Sequence, residues 1–218
     1  MNGDGRKDVL IARKKKSMDA GQLVWFEHPA TGALEDIEWT EHIITEGPDV
    51  FTAIEDLGGN ELQVWASQFY SKNVAVYKIS TASGTAGDVL NSRVFDSADI
   101  ALNGQAPLGG YQVTVVDLNG DGNKQILFNN WEGESENGIW VYEVPADPYT
   151  GTFVKHEIAS GFKIPWKYWF TGISGPGYPF LFYPDGNTST RAHILVDGHG
   201  SDELYLLTPV GNAANFEY

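Results

Sequence analysis

The same short run of apolar and aromatic residues returns four times along this chain, and that recurrence limits the fold more than any other feature. It reads Leu23-Val24-Trp25-Phe26-Glu27-His28-Pro29, then Val74-Ala75-Val76-Tyr77-Lys78-Ile79-Ser80. It returns as Ile139-Trp140-Val141-Tyr142-Glu143-Val144-Pro145 and as Glu203-Leu204-Tyr205-Leu206-Leu207-Thr208-Pro209. A second strand type precedes it at Asp8 to Arg13, Leu62 to Ser67, Gln125 to Asn130 and His193 to Gly198. A third follows at Glu38 to Ile44 and Phe153 to Ala159. A leading strand comes first at Val50 to Leu57, Val113 to Leu118 and Phe180 to Asp185. Each unit carries about four short strands in roughly 50 to 65 residues, the period of propeller blades. No segment holds an apolar pattern of period 3.6 with caps, so almost no helix is expected. The spacing predicts an all-β chain, a β-propeller of four-stranded antiparallel blades. About four blades are expected, over residues 1–48, 49–110, 111–164 and 165–218. The first lacks its leading strand. The last lacks its final strand unless Asn215-Phe216-Glu217-Tyr218 supplies one.

Between two of these strands lies Asp117-Leu118-Asn119-Gly120-Asp121-Gly122. Oxygen-bearing side chains at alternate positions of a tight loop can turn inward around one point. Two carboxylates and an amide so placed form a hard oxygen cage, which suits Ca2+. A helix–loop–helix calcium site would need a glutamate at the twelfth loop position, and that position is Phe128. The expected ligands are therefore Asp117, Asn119, Asp121, Asn123 through its carbonyl, and Gln125. Gln125 is neutral, which weakens the site relative to a carboxylate there. The competing reading is an Asn-Gly/Asp-Gly hairpin turn without metal. A second loop of this grammar, Asn2-Gly3-Asp4-Gly5-Arg6-Lys7-Asp8, opens the chain. Asn2, Asp4, Arg6 and Asp8 fall at its ligand positions, and completing it needs an Asp upstream of Met1. That clipped start fits a larger ring with blades upstream better than a closed ring of four. Open sheet edges would then promote self-association or pairing with those blades. Three further turns, at Asp56 to Asn60, Asp185 to Asn187 and Asp197 to Asp202, read as turns without metal.

Composition narrows the partners. Net charge is −15, which argues against nucleic acid and anionic membrane surfaces and favours cation binding. Cysteine is absent, so no disulfide framework exists. No run of about 18 apolar residues occurs, so no membrane insertion is expected. Met1 to Lys16 lacks the apolar stretch of a signal peptide. The weak calcium sites suit the millimolar calcium outside cells, and the expected location is extracellular or at the cell surface. An Asn187-Thr188-Ser189 sequon agrees weakly with secretion.

The two loops, together with the Gly21 to Pro29 strand followed by Trp39 and His42, resemble the FG-GAP or VCBS repeat family of calcium-binding β-propellers. The likeness spans essentially the whole chain. Relatives include the heads of integrin α chains, fungal propeller lectins and the propeller part of aldos-2-ulose dehydratase. The resemblance implies structural Ca2+ and a ring that usually has seven blades. Two positions depart from the family's pattern: Gln125 replaces the ninth-position Asp, and the ligand before Asn2 is missing.

No Gly-x-Ser-x-Gly elbow, cysteine nucleophile or phosphate loop is present. His42 and His156 recur at equivalent repeat positions, which suits packing or hydrogen bonding. His28, His193 and His199 form no spaced metal pair. Glu132, Glu134 and Glu136 crowd one loop and read as a solvated hairpin tip. Trp131 enters that acidic loop, and Trp166, Tyr168 and Trp169 cluster ahead of Gly172. Such rings either stack on sugar or fill the space between blades. Trp131, Trp166 and Trp169 are the candidate ligand contacts. The expected function is a binding module for a glycan or a protein partner. The alternatives are the propeller portion of a carbohydrate lyase or dehydratase, and a structural or adhesion propeller.

Overall fold

The computed structural model describes all residues except 15–19, 32–37, 98–99, 101, 103–109, 132–136, 164–174, 189 and 199–202. Among the described residues, fourteen strands form four antiparallel sheets, each built from consecutive strands. Sheet 1 holds β1 (Val9–Arg13), β2 (Gly21–Glu27) and β3 (Thr40–Gly47). Sheet 2 holds β4 (Thr52–Gly58), β5 (Glu61–Gln68), β6 (Asn73–Ser80) and β7 (Val89–Asp96). Sheet 3 holds β8 (Gly110–Val116), β9 (Gln125–Asn130), β10 (Gly138–Glu143) and β11 (Val154–Ser160). Sheet 4 holds β12 (Pro179–Phe182), β13 (His193–Asp197) and β14 (Leu204–Leu207). No α-helix stands among the described residues; a three-residue 3-10 turn covers Ala213–Asn215.

The sheets stack face to face in chain order. Successive strand residues point to opposite faces, so a sheet buried on both sides must be apolar at odd and even positions alike. β5 and β9 meet that requirement. Val64 and Ala66 face sheet 1, where they join Leu23, Leu10 and Ile44. Trp65 faces sheet 3 with Val74, Val76 and Phe95, against Ile126, Phe128, Trp140 and Tyr142. Leu127, Ile139 and Val141 then face sheet 4, against Ala192, Ile194 and Val196. Phe95 stacks on Phe153 at 3.9 Å, and Trp65 meets both rings edge-on. The described residues form this four-sheet stack and do not close a ring.

Two expectations change. The Asn215–Tyr218 stretch adds no strand to sheet 4. Instead Phe216 turns through a positive φ of 51° and tucks its ring into the core between sheets 3 and 4. The repeat alignment of β5 with β9 also moves by one residue. The faces pair Val64 with Ile126 and Trp65 with Leu127, so Gln63, not Leu62, is the counterpart of Gln125. The cause is the β4–β5 turn. Gly58 pairs with Glu61, leaving Gly59 (φ 61°) and Asn60 (φ 66°) as a tight two-residue connection. Both central residues at positive φ mark the hairpin geometry that matches strand twist.

A buried charge pair links sheets 2 and 3. Lys155 Nζ lies 3.2 Å from Asp96 Oδ2, with both side chains almost wholly buried. The Tyr142 hydroxyl donates to the same oxygen at 2.7 Å. Burial, followed by the adjacent Asp96 charge, pushes the Tyr142 phenol well above its ordinary range.

Candidate functional site

The loop from Asp117 to Gln125 joins β8 to β9. Its charge is gathered by backbone donors. Asp117 Oδ1 accepts from the N–H groups of Gly120 (2.8 Å) and Asp121 (3.1 Å), and Oδ2 from Gly122 (2.9 Å). Asn119 Oδ1 accepts from Asp121 N–H at 3.3 Å, and Asp121 Oδ1 from Asn123 N–H at 2.7 Å. That last bond is the main reason the Asp121 carboxyl sits below its ordinary value. Gly120 (φ 76°) and Gly122 (φ 85°) occupy the left-handed region, which a Cβ would strain. Leu118, at the second position, is fully buried and anchors the loop to the core between sheets 3 and 4.

The opening loop repeats this conformation. Gly3 (φ 76°) and Gly5 (φ 83°) match Gly120 and Gly122. Asp4 N–H donates to Asn2 Oδ1 at 3.2 Å, and Arg6 N–H to Asp4 Oδ1 at 2.8 Å. Both bonds reproduce those of the later loop. The Met1 nitrogen donates to Asp8, as Leu118 N–H does to Gln125 Oε1. The loops differ in how the second oxygen of the central carboxylate is met. In the opening loop the Arg6 guanidinium pairs with Asp4 Oδ2, and its Nε donates to the His28 carbonyl at 3.0 Å. In the later loop Asn119 Nδ2 donates to Asp121 Oδ2 at 3.0 Å.

The later loop can be tested as a cation site by its donors. Asp117, Asn119, Asp121 and the Asn123 carbonyl supply hard oxygens, as a calcium cage requires. Gln125 does not add a fifth. Its Oε1 is held by Leu118 N–H at 2.6 Å, and its Nε2 donates to Asn123 O (3.0 Å) and Asn119 Oδ1 (3.3 Å). Turning the amide over would set oxygen against oxygen and N–H against N–H. The buried Gln125 amide thus meets two oxygens that a cation would otherwise share. Among the described residues no three His, Cys, Asp or Glu side chains converge.

A second site lies at the opposite, entering end of β8. Trp131 follows β9 and stacks on Tyr111 of β8, with centroids 4.2 Å apart and planes 10° apart. Phe69 meets both rings edge-on, and Phe51 does the same to Tyr111. Two side chains on the β9 exit grip the Pro176 carbonyl. Asn129, fully buried, donates to it through Nδ2 at 2.9 Å, and Trp131 through Nε1 at 2.9 Å. Asn129 also reaches the Gly177 carbonyl at 2.9 Å. These bonds deliver Tyr178 and Phe180 beside Trp131. A Cβ at Gly177 would sit 1.7 Å from Asp197 Oδ1, so a larger residue there would displace that carboxylate. The result is a cleft of about 250 Å³ walled by Phe51, Tyr111, Trp131, Tyr178 and Phe180, with Gln112 and Asp197 as its polar members. A neighbouring cleft shares Phe51 and Tyr111 and runs toward Ile11 and Asp49.

Trp131 is therefore in a cleft and also committed to packing. Trp166 and Trp169 lie outside the described residues, as do Tyr168, His199 and the acidic residues 132–136. The repeated histidines bond across strands: His42 Nε2 lies 3.1 Å from Glu27, and His156 Nε2 lies 2.5 Å from Glu143. His42 also stacks flat on Trp25 at 4.0 Å. Sequence reading missed Phe51, Tyr111 and Asn129. Each comes from a different strand context, and no spacing marks them as partners.

Compared with known protein families, curated proteins and solved structures, the chain matches none.

Proposed function

We propose that this chain is an extracellular, calcium-stabilised β-propeller binding module of the FG-GAP/VCBS type, and that it recognises carbohydrate in the aromatic cleft. The observation that carries the reading is the wall of five rings around Gln112 and Asp197. Flat aromatic faces cover the C–H faces of a sugar ring, and an amide and a carboxylate bind its hydroxyls. Ligand pockets of drug size start at roughly 300 Å³, so this cleft fits a single ring and not a long chain. The stacked antiparallel sheets, two of four strands and two of three, and the two alike loops support the propeller reading. Calcium at Asp117, Asn119, Asp121 and the Asn123 carbonyl would neutralise the two carboxylates and tie the loop to itself. The Gln125 amide already meets two of these oxygens, so the ion adds to an ordered loop. Upstream blades of the same kind, or a protein partner, are the other ligands this reading admits.

The test is a glycan-array screen of the whole chain in calcium and in chelator, followed by titration of any hit. Binding to one sugar class is expected, lost in Phe51→Ala and Tyr178→Ala while circular dichroism melting is retained. Both rings are exposed, so neither variant opens the core. Silence across the array from folded protein would overturn the carbohydrate reading.

A further inference from the structure

Three of the four sheets open with a leading strand. β4 lies beside β5, β8 beside β9 and β12 beside β13. β1 is the counterpart of β9, since the loop before it repeats the loop before β9. Yet among the described residues β1 pairs only with β2. Its other edge is an unpaired row of N–H and C=O groups, a template for one more strand.

Beside that edge lies the cleft of about 510 Å³ that shares Phe51 and Tyr111 with the aromatic cleft. Leu10, Ile11 and Ala12 of β1 form one side of it, and Thr52 and Ile54 of β4 the other. Ile54 pairs with Val64, which faces sheet 1, so Ile54 faces sheet 1 as well. The contact between sheets 2 and 3 shows what such a place holds. There Ala53 and Trp65, on the opposite face of sheet 2, join Val113 and Val115 of the leading strand β8 in one core. Val113 is 3% exposed, whereas Ile54, with no leading strand across from it, is 46% exposed.

The opening loop lacks the end of the same strand. Asp117 directly follows β8 and takes the N–H groups of Gly120, Asp121 and Gly122. In the opening loop Asp4 N–H turns to Asn2. The N–H groups of Gly3 and Gly5, which match Gly120 and Gly122, meet no acceptor among the described residues. A carboxylate at the end of a leading strand is the group these donors would take.

We propose that the β1 edge accepts an extended segment of a separate polypeptide, antiparallel to β1. Its chemistry is that of β8: valine and threonine along the strand, then an aspartate. The segment's backbone pairs with β1, its side chains cover Ile54, and its carboxylate meets Gly3 and Gly5. Backbone bonds hold a strand added in this way, and alternate side chains select it. A second copy of the chain has no such strand to offer, because β4, β8 and β12 are all paired within the fold. The inference rests on sheet topology and on neither calcium nor sugar, so the glycan screen does not decide it.

The test is a synthetic peptide copying Gln112 to Asp117, labelled with fluorescein at its N-terminus and amidated at its C-terminus. It is titrated against the whole chain by fluorescence anisotropy, from micromolar to millimolar peptide. Saturable binding is expected, and the β1 amides should exchange more slowly in the complex. Replacing both Thr114 and Val115 of the peptide by proline removes a ladder N–H whichever edge is used, and should weaken binding by about tenfold or more. Asp117→Asn in the peptide should weaken it severalfold. Ile54→Lys in the chain should weaken it too and leave circular dichroism melting unchanged, since Ile54 is exposed. No saturable binding to folded chain overturns the proposal. So does binding that tolerates the prolines or Ile54→Lys, or slowed exchange that spares β1. Equal affinity for the Asn peptide overturns the part assigned to Gly3 and Gly5. Self-association of the chain alone, abolished by Ile54→Lys, would give the edge to a second copy and overturn the choice of partner.

Discussion

Asp96 and Lys155 are the residues whose chemistry is most exposed to error, because they carry opposite charges where almost no water reaches. Taking charges out of water costs several kcal/mol per ion, and their mutual attraction offsets this only while both are present. Lys155 also lies over the Trp140 ring at 4.9 Å, and Tyr142 shares the Asp96 oxygen. Lys155→Met is expected to destabilise the chain by about 3–5 kcal/mol, read from urea unfolding by tryptophan fluorescence. Adding Asp96→Asn to it should recover much of that loss, since the stranded charge is gone. Equal instability of the single and double variants would show that packing, not charge, sets the cost. None of this pairing was legible in the sequence. Asp96 ends one strand and Lys155 lies second in another, 59 positions on, and only the stacking of sheets 2 and 3 brings them together.

At the scale of single elements, the β8–β9 loop shows what a motif does and does not reveal. Alternating oxygens and two glycines were enough to read the loop, its flanking strands and its counterpart at Asn2 to Asp8. The direction of the Gln125 amide was not, because it is fixed by Leu118 N–H, a contact that depends on how the loop closes. The substitution Gln125→Asp should turn a loop that bonds to itself into one that needs a cation. In chelator this variant should melt below the parent, and calcium should raise its melting temperature by more than it raises the parent's, by at least ~2 °C. An equal calcium response in both proteins would mean that the ninth position does not face the ion. The strands were legible to differing degrees. β10 announces itself by the apolar run Ile139 to Tyr142, whereas β7 was missed because Asn91, Ser92 and Arg93 interrupt its pattern. The cleft was legible only in part. Trp131 stands out beside its strand, while Tyr111 and Phe51 join it through tertiary packing.

For the whole molecule, each sheet leans on its neighbours in sequence, so stability is close to a sum of local terms and shared faces. Among the described residues, sheets 2 and 3 pack against a neighbouring sheet on both faces, and sheets 1 and 4 on one. Hydrogen exchange should grade accordingly. Amides of β5, β6, β9 and β10 should exchange last, through near-global opening, and those of β1, β3, β12 and β14 should exchange orders of magnitude sooner. Uniform protection across all four sheets would show that the stack opens as one unit.

The tight β4–β5 turn has a consequence in heredity. From Asp56 to Gln63 there is one step fewer than from Asp117 to Gln125, yet Val64 and Ile126 still face the same way. A gene that loses one codon there sheds a place where a cation could sit and keeps every side chain on its proper face. The same loss inside β5 would turn part of the strand inside out, presenting Trp65 to the wrong neighbour. Copies of this unit can therefore drift in length and chemistry at their turns, while selection holds the strands to a fixed count.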